Sequence, residues 1–593
     1  MSEKASKKQN VLGGAMVLVI ATALVKVIGA VYKIPLTGII GSLGRGYFAS
    51  AYNIYTPIYA ISMAGLPVAV STIVSRNAAL GRYRDVKQVM KTTFPLFLGL
   101  GLVGTAVLLL AARPYVDSVG SPYAIFSVFM IAPSILFCCI MSTYRGYYEG
   151  LNNMYPTAIS QVIESLAKLI FGLAVSYAVI DYAATQVKLT GEVFGQVAEN
   201  GNLPPIAYAL AAAGAISGVT LGTVFGAIYT ILRHKLKKDG ITQEMLVNSP
   251  LASPKKDTVN EIIKIAVPTA ISSLVLNITN FIDTWMIQNR LESVVAENFD
   301  TIMGIYGDSI NAAKITNDTI HTFLYGAYDT TLDFRNLIPT IMMTLGVSAI
   351  PIISGAMAKK DTKTITETVN TVFRTTMLIA LPAGAGFFAL SEPILSLLYT
   401  GTENQSGIAV AAPVLGLYGL MMAILTLSSP LTNILQAIGR ADVPAKALAI
   451  GCAFKIGLNY VLIGIPEINI KGAVFGTCFF YLLCIFINYG VLRKETGVRI
   501  DIKTVLVKPL IAAVLCGASA WGSYELLSSV LTFGDMNSRL NGNSLACIVS
   551  IGVAVVVYAV SALLLKTLVK NDILLLPKGE KIAKILEKYK LIV

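Results

Sequence analysis

Fourteen long apolar stretches alternate along this chain with connections whose basic residues fall almost entirely on one side. Of 46 Lys+Arg residues, 34 lie in the N-terminus, the C-terminus and the even-numbered connections, 7 in the odd-numbered connections and 5 inside the apolar stretches. A run of ~20 apolar residues crosses the hydrocarbon core of a bilayer, and connections rich in Lys and Arg stay on the cytoplasmic side. The pattern specifies an all-α polytopic membrane protein of 14 transmembrane helices with both termini cytoplasmic. The spans are predicted near 11–39, 47–75, 91–112, 121–143, 155–180, 205–232, 260–288, 323–355, 370–392, 408–430, 443–465, 470–492, 504–530 and 545–569.

Composition matters where it excludes alternatives. A net charge of +13 on 593 residues invites a nucleic-acid partner, but the basic residues sit beside span ends, so topology accounts for them and no nucleic acid is expected. The basic N-terminus MSEKASKKQN leads into a long apolar helix without a small-residue cleavage site, and reads as a retained first span. All seven cysteines fall in apolar segments, where a free thiol behaves as a small hydrophobe. No CxxC pair or Cys/His cluster occurs, and neither His234 nor His321 has a partner suited to metal binding or nucleophilic catalysis, so no metal site or enzyme is expected. The last residues place Ile582, Ile585, Leu586 and Tyr589 on one helical face among lysines. That suits an amphipathic helix on the anionic inner leaflet, the alternative being a solvated tail.

The chain repeats itself. Pro67 is followed after 25 residues by Thr92-Thr93, and Pro351 after 24 residues by Thr375-Thr376. Pro156 precedes Lys168 by 12 residues, and Pro444 precedes Lys455 by 11. Six spans separate the copies, an even number, so both copies run in the same direction. The expected organisation is an N-terminal bundle at 1–250, a C-terminal bundle at 251–500, two appended spans at 501–570 and the amphipathic tail at 571–593. Two six-helix bundles related by such a parallel repeat are a common transporter plan, with the substrate site between the halves.

The charges within spans need their own account, because one at the helix centre costs ~2.5–3.5 kcal/mol on insertion scales. They are Lys26 and Lys33 in span 1, Glu164 and Lys168 in span 5, Asp283 in span 7, Lys455 in span 11, and Asp329, Asp333 and Arg335 in or at the outer end of span 8. Lys26 and Lys33 are seven apart and share a helix face; Glu164 and Lys168 have the i,i+4 spacing of an ion pair. Lys168 and Lys455 occupy matching places in the repeat. Asp283 ends the run Asn277-Ile-Thr-Asn280-Phe-Ile-Asp283, whose oxygen side chains suit a hard cation such as Na⁺ or a carried proton. The blander readings are snorkelling lysines and structural ion pairs, with Asp283 paired to a lysine.

Three stretches resemble a known family: Lys26–Pro35 (KVIGAVYKIP), Ala64–Pro67 (AGLP) and Tyr144–Pro156 (YRGYYEGLNNMYP). With the span plan, the chain resembles the MATE-related flippase superfamily. The likeness is to the Firmicute branch holding stage V sporulation protein B-type and MurJ-like lipid II flippases. The resemblance implies a multi-pass protein of the bacterial plasma membrane that moves undecaprenyl-pyrophosphate-linked sugars from the inner to the outer leaflet. It makes the lipid bilayer and cell-wall synthesis proteins the natural partners. It assigns pyrophosphate contacts to basic residues of spans 1 and 8, here Lys26, Lys33 and Arg335; the intramembrane lysines Lys168 and Lys455, matched in the repeat, are further substrate-binding candidates. It also implies a sodium site built from an acid in span 7 and oxygen side chains in spans 11 and 12, here Asp283, Asn459 and Thr477. Lys455, one turn before Asn459, departs from that pattern, since a tethered cation can take the place of Na⁺. No other cofactor is expected, and no Walker motif is present.

The expected activity is alternating-access flipping of a polyprenyl-pyrophosphate-linked glycan, most directly the peptidoglycan precursor lipid II. A Na⁺- or H⁺-coupled multidrug antiporter of the same fold is the alternative, and the lysines argue against its acidic cavity. A membrane glycosyltransferase would need a catalytic motif in an outer loop, and the acidic 289–322 connection holds neither DxD nor paired histidines.

Overall fold

The computed structural model describes residues 11–198, 202–237, 239–399, 402–534 and 541–567; the expected amphipathic tail lies outside them. These residues form two compact units, one reaching Asn289 and adding Lys314–Gly326, the other comprising Arg290–Ala313 and the chain from Ala327 onward. The first holds α1 (Val11–Ala60), α2 (Leu66–Ala79), α3 (Tyr83–Ser118), α4 (Ile125–Ile131), α5 (Ser134–Gly150), α6 (Tyr155–Thr190), α7 (Pro205–Leu236), α8 (Gln243–Val247) and most of α9 (Lys255–Glu297). The second holds α10 (Phe299–Ala312), most of α11 (Ile320–Ala358), α12 (Thr362–Ala389), α13 (Ser391–Leu398), α14 (Thr402–Ala437), α15 (Asp442–Ile463), α16 (Gly472–Thr496), α17 (Lys508–Val530) and α18 (Gly542–Leu564). The only strands among the described residues are the two-residue pair Glu192–Val193 and Gln196–Val197.

Eleven helical stretches among the described residues are long and apolar enough to cross a membrane. The first runs for 60 residues from Ile20 to Ala79, about 90 Å at the helical rise and room for both of the first two expected spans. Its break lies at Gly41, whose φ of 60° and ψ of −176° leave the helical region and suit a residue without Cβ. The start of α11 closes against this turn: a Cβ on Gly46 would lie 2.3 Å from the Thr322 carbonyl oxygen, and one on Gly326 1.8 Å from that of Ser42. The stretches read as spans seven and eight are the continuous helices α9 and α11, 43 and 39 residues long.

Prolines shape the helices where the backbone must give. A π-helical turn, Ile61–Gly65, precedes Pro67, and another, Lys503–Val507, precedes Pro509. Proline removes an N–H and crowds the carbonyl four residues back, and a π turn widens the helix to admit it. The repeated threonines also behave alike: Thr93 donates to the Val89 carbonyl at 2.8 Å and Thr376 to the Val372 carbonyl at 2.7 Å, all within their own helices.

Small residues set the packing of α6 on α7. Gly214, Gly218, Gly222 and Gly226 recur every fourth residue along α7. A Cβ on Gly218 would lie 2.4 Å from the Gly172 nitrogen, and one on Gly222 2.5 Å from the Glu164 carbonyl oxygen. Between membrane helices close backbone approach replaces the missing hydrophobic drive, so this stripe fixes α6 and the charges it carries. In the second unit α17 and α18 pack on α12 and α13 through Leu390, Cys516, Ala520 and Ala554, and Tyr558 Oη donates to the Leu378 carbonyl at 2.6 Å.

The connection from α7 to α9 is strapped over the start of α3. Asp239 pairs with Lys87 and accepts from Tyr147 Oη at 2.5 Å. Arg84 Nε donates to the Leu246 carbonyl at 2.9 Å, and the Ser253 amide donates to Asp85 Oδ1 at 2.7 Å. Burial alone would raise the Asp239 carboxyl, but the hydrogen bonds from Lys87 and Tyr147 and the Lys87 charge outweigh it and hold it below its ordinary value.

Two outcomes follow from this packing. Gly218→Val should separate α6 from α7 and destabilise the protein by ~1–3 kcal/mol, as overpacking does, read as earlier thermal unfolding in detergent; unchanged melting contradicts the close approach. Because the Asp239 carboxyl is depressed, its tether is fully present above the ordinary carboxylate pKa of about 4 and is lost as pH falls through the lower native value. A fluorophore on Gln243→Cys should therefore stay immobile down to about pH 4 and loosen below it, while adding Asp239→Asn should loosen it throughout.

Candidate functional site

In the first unit the intramembrane charges gather beside an aromatic ladder. Phe48, Tyr52, Tyr55 and Tyr59 follow one face of α1, with successive centroids 5.6, 5.7 and 5.2 Å apart. Lys168 of α6 places Nζ 4.9 Å from the Tyr32 ring centroid and 5.4 Å from that of Tyr52. Tyr32 is fixed in turn by donation to the Ala215 carbonyl of α7 at 3.0 Å. An aromatic face attracts a cation through its quadrupole, so the Tyr32 and Tyr52 rings help to seat Lys168.

Next to it lies a residue that sequence reasoning assigned to a loop. Arg145 on α5 is 2% exposed; its Nε donates to Ser160 Oγ at 2.9 Å, and its NH2 meets Glu164 Oε2 at 3.1 Å. Glu164, read from spacing as the partner of Lys168, also holds a cation from another helix. Arg45 is also 2% exposed, with its guanidinium 5.9 Å from the Phe48 ring centroid. The signal for Arg145 was present in the Tyr144–Pro156 stretch, but a predicted span end at 143 left it outside.

The remaining first-unit candidates divide by burial. Lys26 is exposed on α1, and Lys33 is half-buried, its carbonyl accepting from Thr37 Oγ1 at 3.1 Å. Asp283 is 9% exposed, whereas Asn280 is exposed, so the oxygen-bearing run of α9 does not present these two side chains alike. One turn beyond Asp283, α9 is pinned to its own unit: Gln288 Oε1 accepts from Ser50 Oγ at 2.6 Å, and Trp285 Nε1 donates to Ser118 Oγ at 3.0 Å.

The second unit holds its cation in the same manner. The Arg335 guanidinium lies 5.5 Å from the Tyr418 ring centroid, and the Tyr418 hydroxyl meets that of Tyr328 at 3.0 Å. Lys455 places Nζ 5.9 Å from the Phe480 ring centroid. Asn459 is fully buried, its Oδ1 1.7 Å from where a Cβ on Gly476 would sit, beside buried Thr477. Asn459 of α15 thus packs against α16 at Gly476, the Thr477 hydroxyl donates within its own helix to the Ala473 carbonyl at 2.8 Å, and Asp283 belongs to the first unit.

These features define a polytopic helical membrane protein with cations lodged on aromatic rings inside its apolar helices. The family model "Polysaccharide biosynthesis protein" matches residues 11–357, and "Lipid II flippase MurJ" matches residues 337–538. The chain belongs to the polysaccharide biosynthesis protein family. It is 25% identical over 540 residues to lipid II flippase MurJ of Bacillus subtilis, covering 88% of this chain and 89% of that one. Stage V sporulation protein B of the same organism is 23% identical over 511 residues, covering 86% and 88%. In fold it resembles a solved lipid II flippase MurJ in an inward closed conformation, with TM-score 0.59, 14% identity, and 93% and 98% of the two chains covered. It also resembles an inward-facing multidrug resistance MATE family transporter of the MOP superfamily, with TM-score 0.57, 15% identity, and 81% and 98% covered.

The Arg145–Glu164 pair makes a definite prediction. Arg145→Ala leaves a carboxylate without its guanidinium in a low-dielectric site, and breaking a buried pair costs ~3–5 kcal/mol. Thermal melting in detergent should show that loss, and Arg145→Met combined with Glu164→Leu should recover most of it. Equal losses in the single and double variants would contradict the pairing.

Proposed function

We propose that this chain is an alternating-access flippase. It moves an undecaprenyl-pyrophosphate-linked glycan, in the first place lipid II, from the inner to the outer leaflet of the bacterial plasma membrane. The observation that carries the reading is the seating of Lys168 and Arg335 on tyrosine rings within apolar helices, in a family whose relatives include a lipid II flippase. A π face attracts a cation without neutralising it, and charge-assisted bonds between a cation and a phosphate are the strong ones. Arg335 can present two parallel donors to a phosphate, whereas Lys26, Lys33, Lys168 and Lys455 act as point charges. In this reading fourteen spans form two six-helix bundles, both termini are cytoplasmic, and spans 13 and 14 supply a groove for the lipid tail.

The energy source follows from the same charges. Moving a charge across the membrane potential is worth ~2.3 kcal/mol per 100 mV. With the inside negative, outward movement of the anionic headgroup is downhill, and so is inward return of an empty cationic cavity. Coupling to Na⁺ or H⁺ is the further option, with Asn459 and Thr477 offering oxygen donors and Asp283 a carboxylate; Lys455 on the same helix as Asn459 weighs against Na⁺. The same buried carboxylate is what a multidrug antiporter would need, but the cations outnumber it.

The reading is tested in cells dependent on this chain. Lys26→Ala, Lys33→Ala, Lys168→Met and Arg335→Ala proteins that still reach the membrane should flip roughly tenfold more slowly or worse, since a charged hydrogen bond is worth ~1.5–3 kcal/mol. The polyprenyl-linked precursor should accumulate on the inner leaflet. Normal cell-wall growth with loss of drug resistance alone would favour the antiporter. In proteoliposomes, undiminished flipping at zero potential would remove the potential as the driving force.

A further inference from the structure

The face of the first unit that bears the α2–α3 turn, the α5–α6 turn and the end of α7 encloses a cleft of about 2250 Å³, closed on one side by the strapped α7–α9 connection. Arg84, Lys87 and Lys91 line it from α3, Lys235 and Lys237 from the end of α7 and its cap, and Lys255 from the start of α9. Asp239 and Glu244 are its acidic residues. The spacing of 84, 87 and 91 puts three cations on one helix face. Positive-inside sorting explains why lysines lie on this side of the membrane. It does not explain why six cations from three helices converge on a single concavity.

Two of the six are engaged: Lys87 pairs with Asp239, and Arg84 holds the Leu246 carbonyl. Lys91, Lys235, Lys237 and Lys255 are exposed toward solvent. Apolar side chains stand among them, Leu236 at 80% exposure and Met245 at 38%, so the mouth is amphiphilic as well as cationic. We infer that this cleft is a binding site for a phosphate-bearing anion, distinct from the intramembrane cations and independent of the flippase reading. Lys91, Lys235 and Lys255 are its principal donors, and Asp239 is a built-in competitor for Lys87. A phosphate drawn to Lys87 displaces Asp239, so occupancy loosens the α7–α9 connection. The phosphate can belong to a lipid headgroup at the membrane surface or to a soluble anion.

The test uses purified full-length protein in phosphatidylcholine nanodiscs, titrated with inorganic pyrophosphate, and in parallel nanodiscs containing phosphatidylglycerol. Ligand that binds the folded state raises the melting temperature. A rise with pyrophosphate alone identifies a soluble anion, a rise with phosphatidylglycerol alone a lipid headgroup, and both together the shared phosphate chemistry. The triple variant Lys91→Gln, Lys235→Gln, Lys255→Gln should melt as the parent does without anion and lose the rise. Asp239→Asn should bind several-fold more tightly. A fluorophore on Gln243→Cys should gain mobility as anion is added to the otherwise unaltered protein. No rise with either probe, or an undiminished rise in the triple variant, overturns the site.

Discussion

A charge within an apolar helix persists only where something other than bulk water holds it, and that requirement organises both units of this protein. Each intramembrane cation carries a penalty of ~2.5–3.5 kcal/mol if left to lipid. Arg145 is satisfied by a carboxylate and a serine hydroxyl. Lys168, Arg335 and Lys455 lie over aromatic rings. The supports depend on backbone geometry, because Lys168 reaches Tyr32 only if α6 lies against α1 and α7. The four-residue glycine stripe of α7 permits that approach, and Tyr32 is oriented by a carbonyl of the same helix.

Much of this architecture was legible in the sequence because bilayer physics leaves a strong trace. Length and hydropathy mark the helices, and the repeat spacings pointed to Thr93 and Thr376, which make the same back-bond to the fourth residue before them. The site was less legible. Arg145 fell outside a span because hydropathy drops over Tyr144–Gly150, yet α5 continues to Gly150 and carries the arginine into the interior. The tyrosine ladder was invisible for the opposite reason: hydropathy counts a tyrosine as a span residue without asking which face it occupies. The i,i+4 rule gave Glu164 a neighbour on its own helix, and it cannot see a guanidinium arriving from α5.

The sorting of basic residues shows the same limit from the other side. A topology argument treats every basic residue on one side of the membrane as equivalent, since only the sign of the charge and its side enter. The folded chain makes them unequal. Arg440 pairs with its near neighbour Asp442 at an exposed position, whereas Lys87 reaches 152 residues along the chain to Asp239 and straps a connection in place. Convergence in space, which no count along the sequence reports, is what separates a solvated charge from one with a task.

The buried cations also differ in what they have left to offer. Arg145 directs its donors to Ser160 and Glu164, and its burial leaves little access for anything else, so its work is structural. A π face occupies no hydrogen-bond donor, because it attracts the charge as a whole. Lys168 and Arg335 are both half-buried over tyrosines, which attract the charge without cancelling it. A carboxylate in the place of Tyr32 or Tyr418 would hold the cation more firmly and would also neutralise it. Tyrosine retains the charge while lowering the penalty of keeping it there, the intermediate strength that the proposed binding and release of a phosphate requires.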